Sequence, residues 1–148
     1  MKVTRLRALG VAAAAVGAGA AMSLALPAGA AVSLQSQSPP VATVKLANQA
    51  RLDANGAVVF AGLKVTCPPG TSAFYTVTVT EAVGRDIASG STSDEVDACT
   101  GRAQNISVAV TPTQHPFRRG VAFGQARLTV CNQFACKTFR DQHNVQIR

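Results

Sequence analysis

The chain contains no tryptophan and one tyrosine, Tyr75. Sugar-binding surfaces built on stacked aromatic rings need several such side chains, so recognition of that kind is disfavoured. Only two histidines are present, His115 between Gln114 and Pro116, and His143 in a polar stretch before the last apolar residues. Neither lies in a G-x-S-x-G elbow or an H-E-x-x-H pair, and both read as loop residues. With no nucleophile–base pair marked, no catalytic residues are expected. The four cysteines lack C-x-x-C spacing, which argues against redox chemistry and a four-ligand zinc site. Asp94, Glu95 and Asp97 cluster without the glycine and spacing of an EF-hand loop. Neither a metal nor another cofactor is expected. Beyond the leader there is no second apolar run that could span a bilayer, and no convincing amphipathic helix.

What is present begins at the N-terminus. Met1 to Arg7 carries Lys2, Arg5 and Arg7 and no acid. Ala8 to Leu26 is uncharged, and Pro27-Ala28-Gly29-Ala30 supplies the small-x-small pattern of a signal-peptidase site. This is the order of a signal peptide, residues 1–30, cleaved after Ala30. An uncleaved anchor fits less well, because the run is rich in Ala and Gly and ends at Pro27. Residues 31–40, with the stretch Ser33 to Pro40, form a flexible polar spacer, and residues 41–148 form one domain. The expected location is extracellular, with no membrane contact after cleavage, and there the cysteines should pair.

Removing the three leader cations from fourteen leaves eleven Lys and Arg against seven Asp and Glu, a net +4. Those cations are dispersed along the sequence, so nucleic acid is not the expected partner. A solvated surface, or contact with an extracellular protein or cell-wall polymer, fits the charge.

From Val41 onward the apolar pattern has period two. Val41 to Leu46 reads as a strand. Ala50 to Asp53, Asn55-Gly56 and Ala57 onward read as a hairpin with a type I′ turn. Ala57, Val59, Ala61, Leu63, Val65 and Cys67 share one face of the next strand. In Phe74 to Glu81, Tyr75, Val77 and Val79 alternate with Thr76, Thr78 and Thr80. Ser89 to Ser93 reads as a loop. Gln104, Ile106, Val108 and Val110 form another face, ended by Pro112. Val121 to Cys131 and Cys136 to Phe139 make a second hairpin, and Val145 and Ile147 a last strand. Seven or eight short strands predict an all-β, immunoglobulin-like antiparallel two-sheet sandwich.

Four cysteines allow three pairings. Cys131 is in phase with Gln125, Arg127 and Thr129, and Cys136 with Thr138 and Arg140. Both face outward at matched ends of a tight hairpin. Cys67 is in phase with Val59, Leu63 and Val65, so it faces the core, and Cys99 is the partner that remains. The pairing predicted is Cys67–Cys99 and Cys131–Cys136.

Several short segments carry a resemblance: Gly56 to Val59, Val65-Thr66-Cys67, Thr76 to Thr80, Cys99-Thr100-Gly101, Val108-Ala109-Val110 and Gly120-Val121-Ala122. In this order they resemble a group of small secreted actinobacterial proteins with an immunoglobulin-like sandwich, a group that carries no catalytic residues over. Separately, Arg outnumbers Lys ten to four, and Ala and Gly are frequent, which suggests a GC-rich, bacterial source. Ala126 to Phe139, with its Cys-x4-Cys hairpin, is more faintly similar to the neocarzinostatin-type apoproteins. In those the second disulfide is short and local, whereas Cys67 and Cys99 are far apart.

The expected function is a secreted, non-enzymatic binding or structural module. Alternatives are a small-ligand carrier of the apochromoprotein kind and a secreted protease inhibitor, although the cysteine spacing departs from the subtilisin-inhibitor type. The expected contact site is the second hairpin, with Phe134 at its tip and Arg127, Lys137 and Arg140 on the polar face. Phe134 either anchors a partner or folds back onto the sandwich.

Overall fold

The computed structural model describes residues 39–148. The signal peptide and residues 31–38 of the spacer lie outside the described residues. Seven strands follow: β1 (Thr43–Asp53), β2 (Val58–Thr66), β3 (Ser72–Val83), β4 (Asp86–Glu95), β5 (Gln104–Val110), β6 (Gly120–Cys131) and β7 (Cys136–Ile147). The only helical element among the described residues is the 3-10 turn Ala54–Gly56, and the fold is all-β.

The strands form one mixed sheet in the order β4-β3-β6-β7-β1-β2-β5. Every pair is antiparallel except β1 with β7, which run parallel through Gln49–Gln146 and Ala50–Ile147. Alternation along single strands carries no sign of this parallel contact, which depends on how the first and last strands meet. Arg148 extends it: its N–H donates to the Ala50 carbonyl at 2.9 Å, and its carbonyl accepts from the Leu52 N–H at 2.7 Å. β1 therefore joins all seven strands into one ladder, where the sequence led to an expectation of two antiparallel sheets. It does so through an irregularity. Leu46 pairs with Leu63 and Ala50 with Ala61, so β1 takes four steps where β2 takes two.

The sheet curls until its edges meet. Gly90 of β4 bridges Pro112, just beyond β5. The Thr92 hydroxyl donates to the Ala109 carbonyl at 2.6 Å, and the Thr113 N–H donates to the Ser89 carbonyl at 2.9 Å. Gly90 is needed here, because a Cβ at that position would collide with the Thr111 carbonyl oxygen.

Inside the curl lies one core, to which the alternating residues of every strand contribute. Val59, Ala61, Leu63, Val65 and Cys67 of the β2 run are all buried, as are Tyr75, Val77 and Val79 of β3. Ala57 is exposed because it belongs to the turn before β2. That turn is longer than the expected two-residue type I′ form. Asp53 pairs with Val58, and Ala54, Asn55 and Gly56 all have positive φ. Gly56 is required: a Cβ there would strike the Phe117 carbonyl, while the Phe117 N–H donates to the Gly56 carbonyl at 2.9 Å.

Three strand boundaries differ from the sequence expectation. Val41 to Leu46 and Ala50 to Asp53 are not separate: one strand, Thr43–Asp53, runs through the irregularity between Leu46 and Ala50. Ser89 to Ser93 belongs to β4, because each of its residues pairs with β3. Its inward positions are small, Ala88 and Gly90, and so give no apolar signal. Cys136 to Ile147 is one strand rather than two, with polar residues from Lys137 to Asn144 apart from Phe139. It pairs with β6 along its whole length and with β1 only at Gln146 and Ile147.

Candidate functional site

Both disulfides form as expected, Cys67–Cys99 closing a separation of 32 residues and Cys131–Cys136 a separation of 5. They sit at the same end of the sheet. Cys67 follows β2, Ser72 at the start of β3 pairs with Cys131, and Cys131 pairs with Cys136. The tip between Cys131 and Cys136 is folded around Asn132. Its side-chain oxygen accepts from the Phe134 N–H at 2.9 Å and the Ala135 N–H at 2.8 Å, and its own N–H donates to the Ala135 carbonyl at 3.0 Å. Phe134 is 51% exposed. With Pro40, Pro68 and Pro69 it lines an open groove of about 450 Å³.

Arg127 and Arg140 are directly opposite each other on β6 and β7. They lie four residues down the ladder from the bridged cysteines, about 13 Å at strand rise, and so are apart from Phe134. Lys137 is elsewhere. It pairs with buried Val130, and its ammonium lies 5.3 Å from the centre of the Phe139 ring. Its phase is opposite to that of Arg140, so it does not share the polar face.

The Arg pair belongs to a larger surface, the outer face of β4-β3-β6-β7. Hydroxyl pairs cross it: Thr76–Ser93 at 2.8 Å, Thr78–Ser91 and Thr80–Ser89 at 3.0 Å, and Thr129–Thr138 at 2.9 Å. Gln125 donates to Gln142 at 3.4 Å. Six large apolar side chains are exposed among the described residues, and four of them, Phe74, Ile87, Val121 and Phe123, stand on this face. Like charges opposite one another destabilise a sheet, and no acid pairs with Arg127 or Arg140 among the described salt bridges.

Tyr75, buried behind this face, holds its proton to higher pH than a free phenol. Burial is the main cause, followed by the charges of Asp94 and Asp97. Asp53 is shifted the other way, its carboxylate favoured by the Ala54 N–H and then by Arg51.

The histidines do not meet. His115 is exposed in the loop after β5. His143 is in β7, not in a loop. Its Nδ1 lies 3.6 Å from Asp141 Oδ1, and its Nε2 is enclosed without a hydrogen-bond partner. Asp141 Oδ2 accepts from the Leu46 N–H at 2.8 Å, so this carboxylate fastens β7 to β1. Among the described residues no group of three or more His, Cys, Asp or Glu is arranged to hold a metal ion.

Two buried residues went unread in the sequence, although Glu81 is in phase with Tyr75, Val77 and Val79. Phe117, 1% exposed, enters the core from the loop before β6. Glu81, 4% exposed, accepts from the Arg118 N–H at 2.8 Å. Phe117 follows Pro116 outside any alternating stretch, and Glu81 reads simply as a polar strand end. No protein-family model matches the chain, and the search of curated proteins finds no significant match.

Proposed function

We propose that the protein is a secreted, non-enzymatic binding module with an immunoglobulin-like sandwich, and that its contact surface for an extracellular protein is the outer face of β4-β3-β6-β7. The leader and the two disulfides support secretion. The sandwich reading rests on the strand order. β1 lies between β2 and β7 and runs parallel to β7, and one core separates the wing β4-β3-β6-β7 from β2-β5. An immunoglobulin-like sandwich is what the resemblance to the secreted actinobacterial group implies.

The observation that carries the contact surface is one sheet face that bears four exposed apolar side chains and the unpaired Arg127–Arg140 couple, with Phe74 two residues from the couple and Phe123, Val121 and Ile87 towards the opposite end. Aromatic and Arg side chains dominate interface hot spots. Phe134, on a tip held by a disulfide, extends the surface at one end, and a rigid loop loses less entropy on binding. The groove beside Phe134 falls in the size range of small-ligand sites, about 300–1,000 Å³, which keeps the carrier reading as the second choice. An inhibitor loop should be extended, whereas this tip turns around Asn132.

A photo-crosslinking residue at Gln125 tests the reading, with one at Ser107 on β5 as the control. A specific extracellular protein should crosslink from Gln125 and not from Ser107, and R127E/R140E should abolish the adduct. Equal labelling from both sites, or an adduct indifferent to R127E/R140E, would overturn the reading.

A further inference from the structure

We infer that the outer face of β1, β2 and β5 is a separate binding site for an anionic glycopolymer, a sugar or polyol chain bearing regularly spaced carboxylate or phosphate groups. The inference does not rest on the protein-contact reading above, because it concerns the opposite wing of the sheet.

The register assembles this face from residues far apart in sequence. Lys45 of β1 pairs with Lys64 of β2, and Lys64 pairs with Asn105 of β5. Gly62 pairs with Ser107, and Phe60 pairs with both Arg51 and Ala109. Two depressions of about 320 Å³ each lie along it. The first is lined by Lys45, Lys64 and Asn105 with the apolar Leu46, Ala47, Leu63 and Ile106 around Gly62, and the second by Gln49, Ala50, Arg51, Phe60, Ser107 and Arg148. They adjoin at the Gly62–Ser107 pair. Gly62 contributes no side chain and Ala47, from the extra residues of β1, lies close beside it, so the floor is small and apolar and the rim is cationic.

Charge is segregated across the molecule. Asp53 is the one acid on this face, and it is held by Arg51 at 3.0 Å. Glu81 is buried, and Asp141 is bound to the Leu46 N–H. Asp86, Asp94 and Glu95 belong to β4, and Asp97 follows it. The free protein therefore carries a Lys45–Lys64 repulsion on a surface with little to offset it. An anionic ligand supplies the missing countercharge.

The layout selects the ligand. From Lys64 to Phe60, beside which Arg148 lines the second depression, is about 13 Å at strand rise, so a single small anion does not reach both ends and an extended chain does. Asn105, Ser107 and Gln49 offer amides and a hydroxyl between the charges, which suits a hydroxylated chain. Phe60 is covered by the Arg51 guanidinium at 4.5 Å and is not free to stack bases, as single-stranded nucleic acid requires. A peptide adding as a strand needs an open sheet edge, and the Ala109 end of the β5 edge is taken by Thr92 and the Gly90–Pro112 bridge.

The test is a titration of the ¹⁵N-labelled, oxidised full chain with polygalacturonate and, separately, with poly(glycerol phosphate). Poly-glutamate and a single-stranded oligonucleotide of matched charge serve as comparison polymers. At least one of the first two polymers should shift the amides of Lys45, Gly62, Lys64, Asn105 and Ser107, and the tighter one identifies carboxylate or phosphate as the recognised group. K45Q/K64Q should weaken that binding about tenfold without lowering Tm, while R127Q/R140Q should leave it unchanged. Three results would overturn the inference: no binding of either glycopolymer at low salt, shifts centred on Arg127 and Arg140, or equal affinity for poly-glutamate or the oligonucleotide.

Discussion

Removing the two disulfides one at a time should separate them clearly. In the chain-entropy description, the stabilisation from a crosslink grows with the logarithm of the loop it closes. The separation of 32 residues between Cys67 and Cys99 corresponds to about 3.7 kcal/mol, and the separation of 5 between Cys131 and Cys136 to about 2.1 kcal/mol. Burial widens the gap. Cys67 is fully buried in the core and Cys99 packs against it, so C67A/C99A also removes packed sulfur. Cys136 is exposed and Cys131 only partly buried, so C131A/C136A loses little packing. For a folded unit of roughly 110 residues, unfolding entropy is about 0.23 kcal/mol/K at the midpoint. The expected falls in Tm are then about 16 °C or more for C67A/C99A and about 9 °C for C131A/C136A. Thermal melts followed by far-ultraviolet circular dichroism measure both, and urea melts check that the m-value is unchanged. If C131A/C136A loses as much as C67A/C99A, the loop-length argument fails here, and the short bridge is holding together more than its own hairpin.

Other expectations follow from single positions. Phe117→Ala removes a fully enclosed ring and should cost about 3–5 kcal/mol in urea unfolding, whereas Phe134→Ala, half exposed, should cost under about 1 kcal/mol. Gly90→Ala should lower Tm and raise amide exchange at Thr113, whose N–H bonds to Ser89 across the closing edges. Tyr75 is the sole tyrosine, so alkaline absorbance reports it alone. Phenolate should form above the ordinary value of about 10, and D94N/D97N should move it part of the way back while leaving the effect of burial. Because the folded state holds this proton more tightly, its contribution is full below the unfolded value and is lost as pH rises through the folded one. Asp53 has the opposite sign: its depressed value gives a contribution present above the ordinary carboxylate range and lost as pH falls, and D53N should flatten that acid limb.

What could be read from sequence was whatever repeats locally. The inward run from Val59 to Cys67 and the opposite phases of Cys67 and Cys131 rest on a period of two that a single strand displays, and both appear in the fold. β4 was hidden because a strand pressed against a closing edge needs small inward residues, and Ala88 and Gly90 resemble loop composition. The parallel β1–β7 contact, the Phe117 insertion and the clustering of Lys45, Arg51, Lys64 and Arg148 are non-local. Each depends on which strands become neighbours, and no window of sequence contains that choice. Lys137 shows the same limit at short range. Its nearness to Arg140 in sequence suggested a shared patch, but three residues along a strand reverse the side from which a side chain projects.

The parallel contact between the first and last strands also sets how the domain bears load. Chain enters β1 at Thr43 and leaves β7 after Ile147, and because the two strands run the same way, these points lie at opposite ends of the pair. Tension applied through them pulls the strands lengthwise past one another. The bonds joining Gln49 to Leu52 with Gln146 to Arg148 are then strained together in shear, whereas an antiparallel terminal pair would open like a zipper, one bond at a time. A chain drawn taut through these two points would meet its greatest resistance at this short ladder.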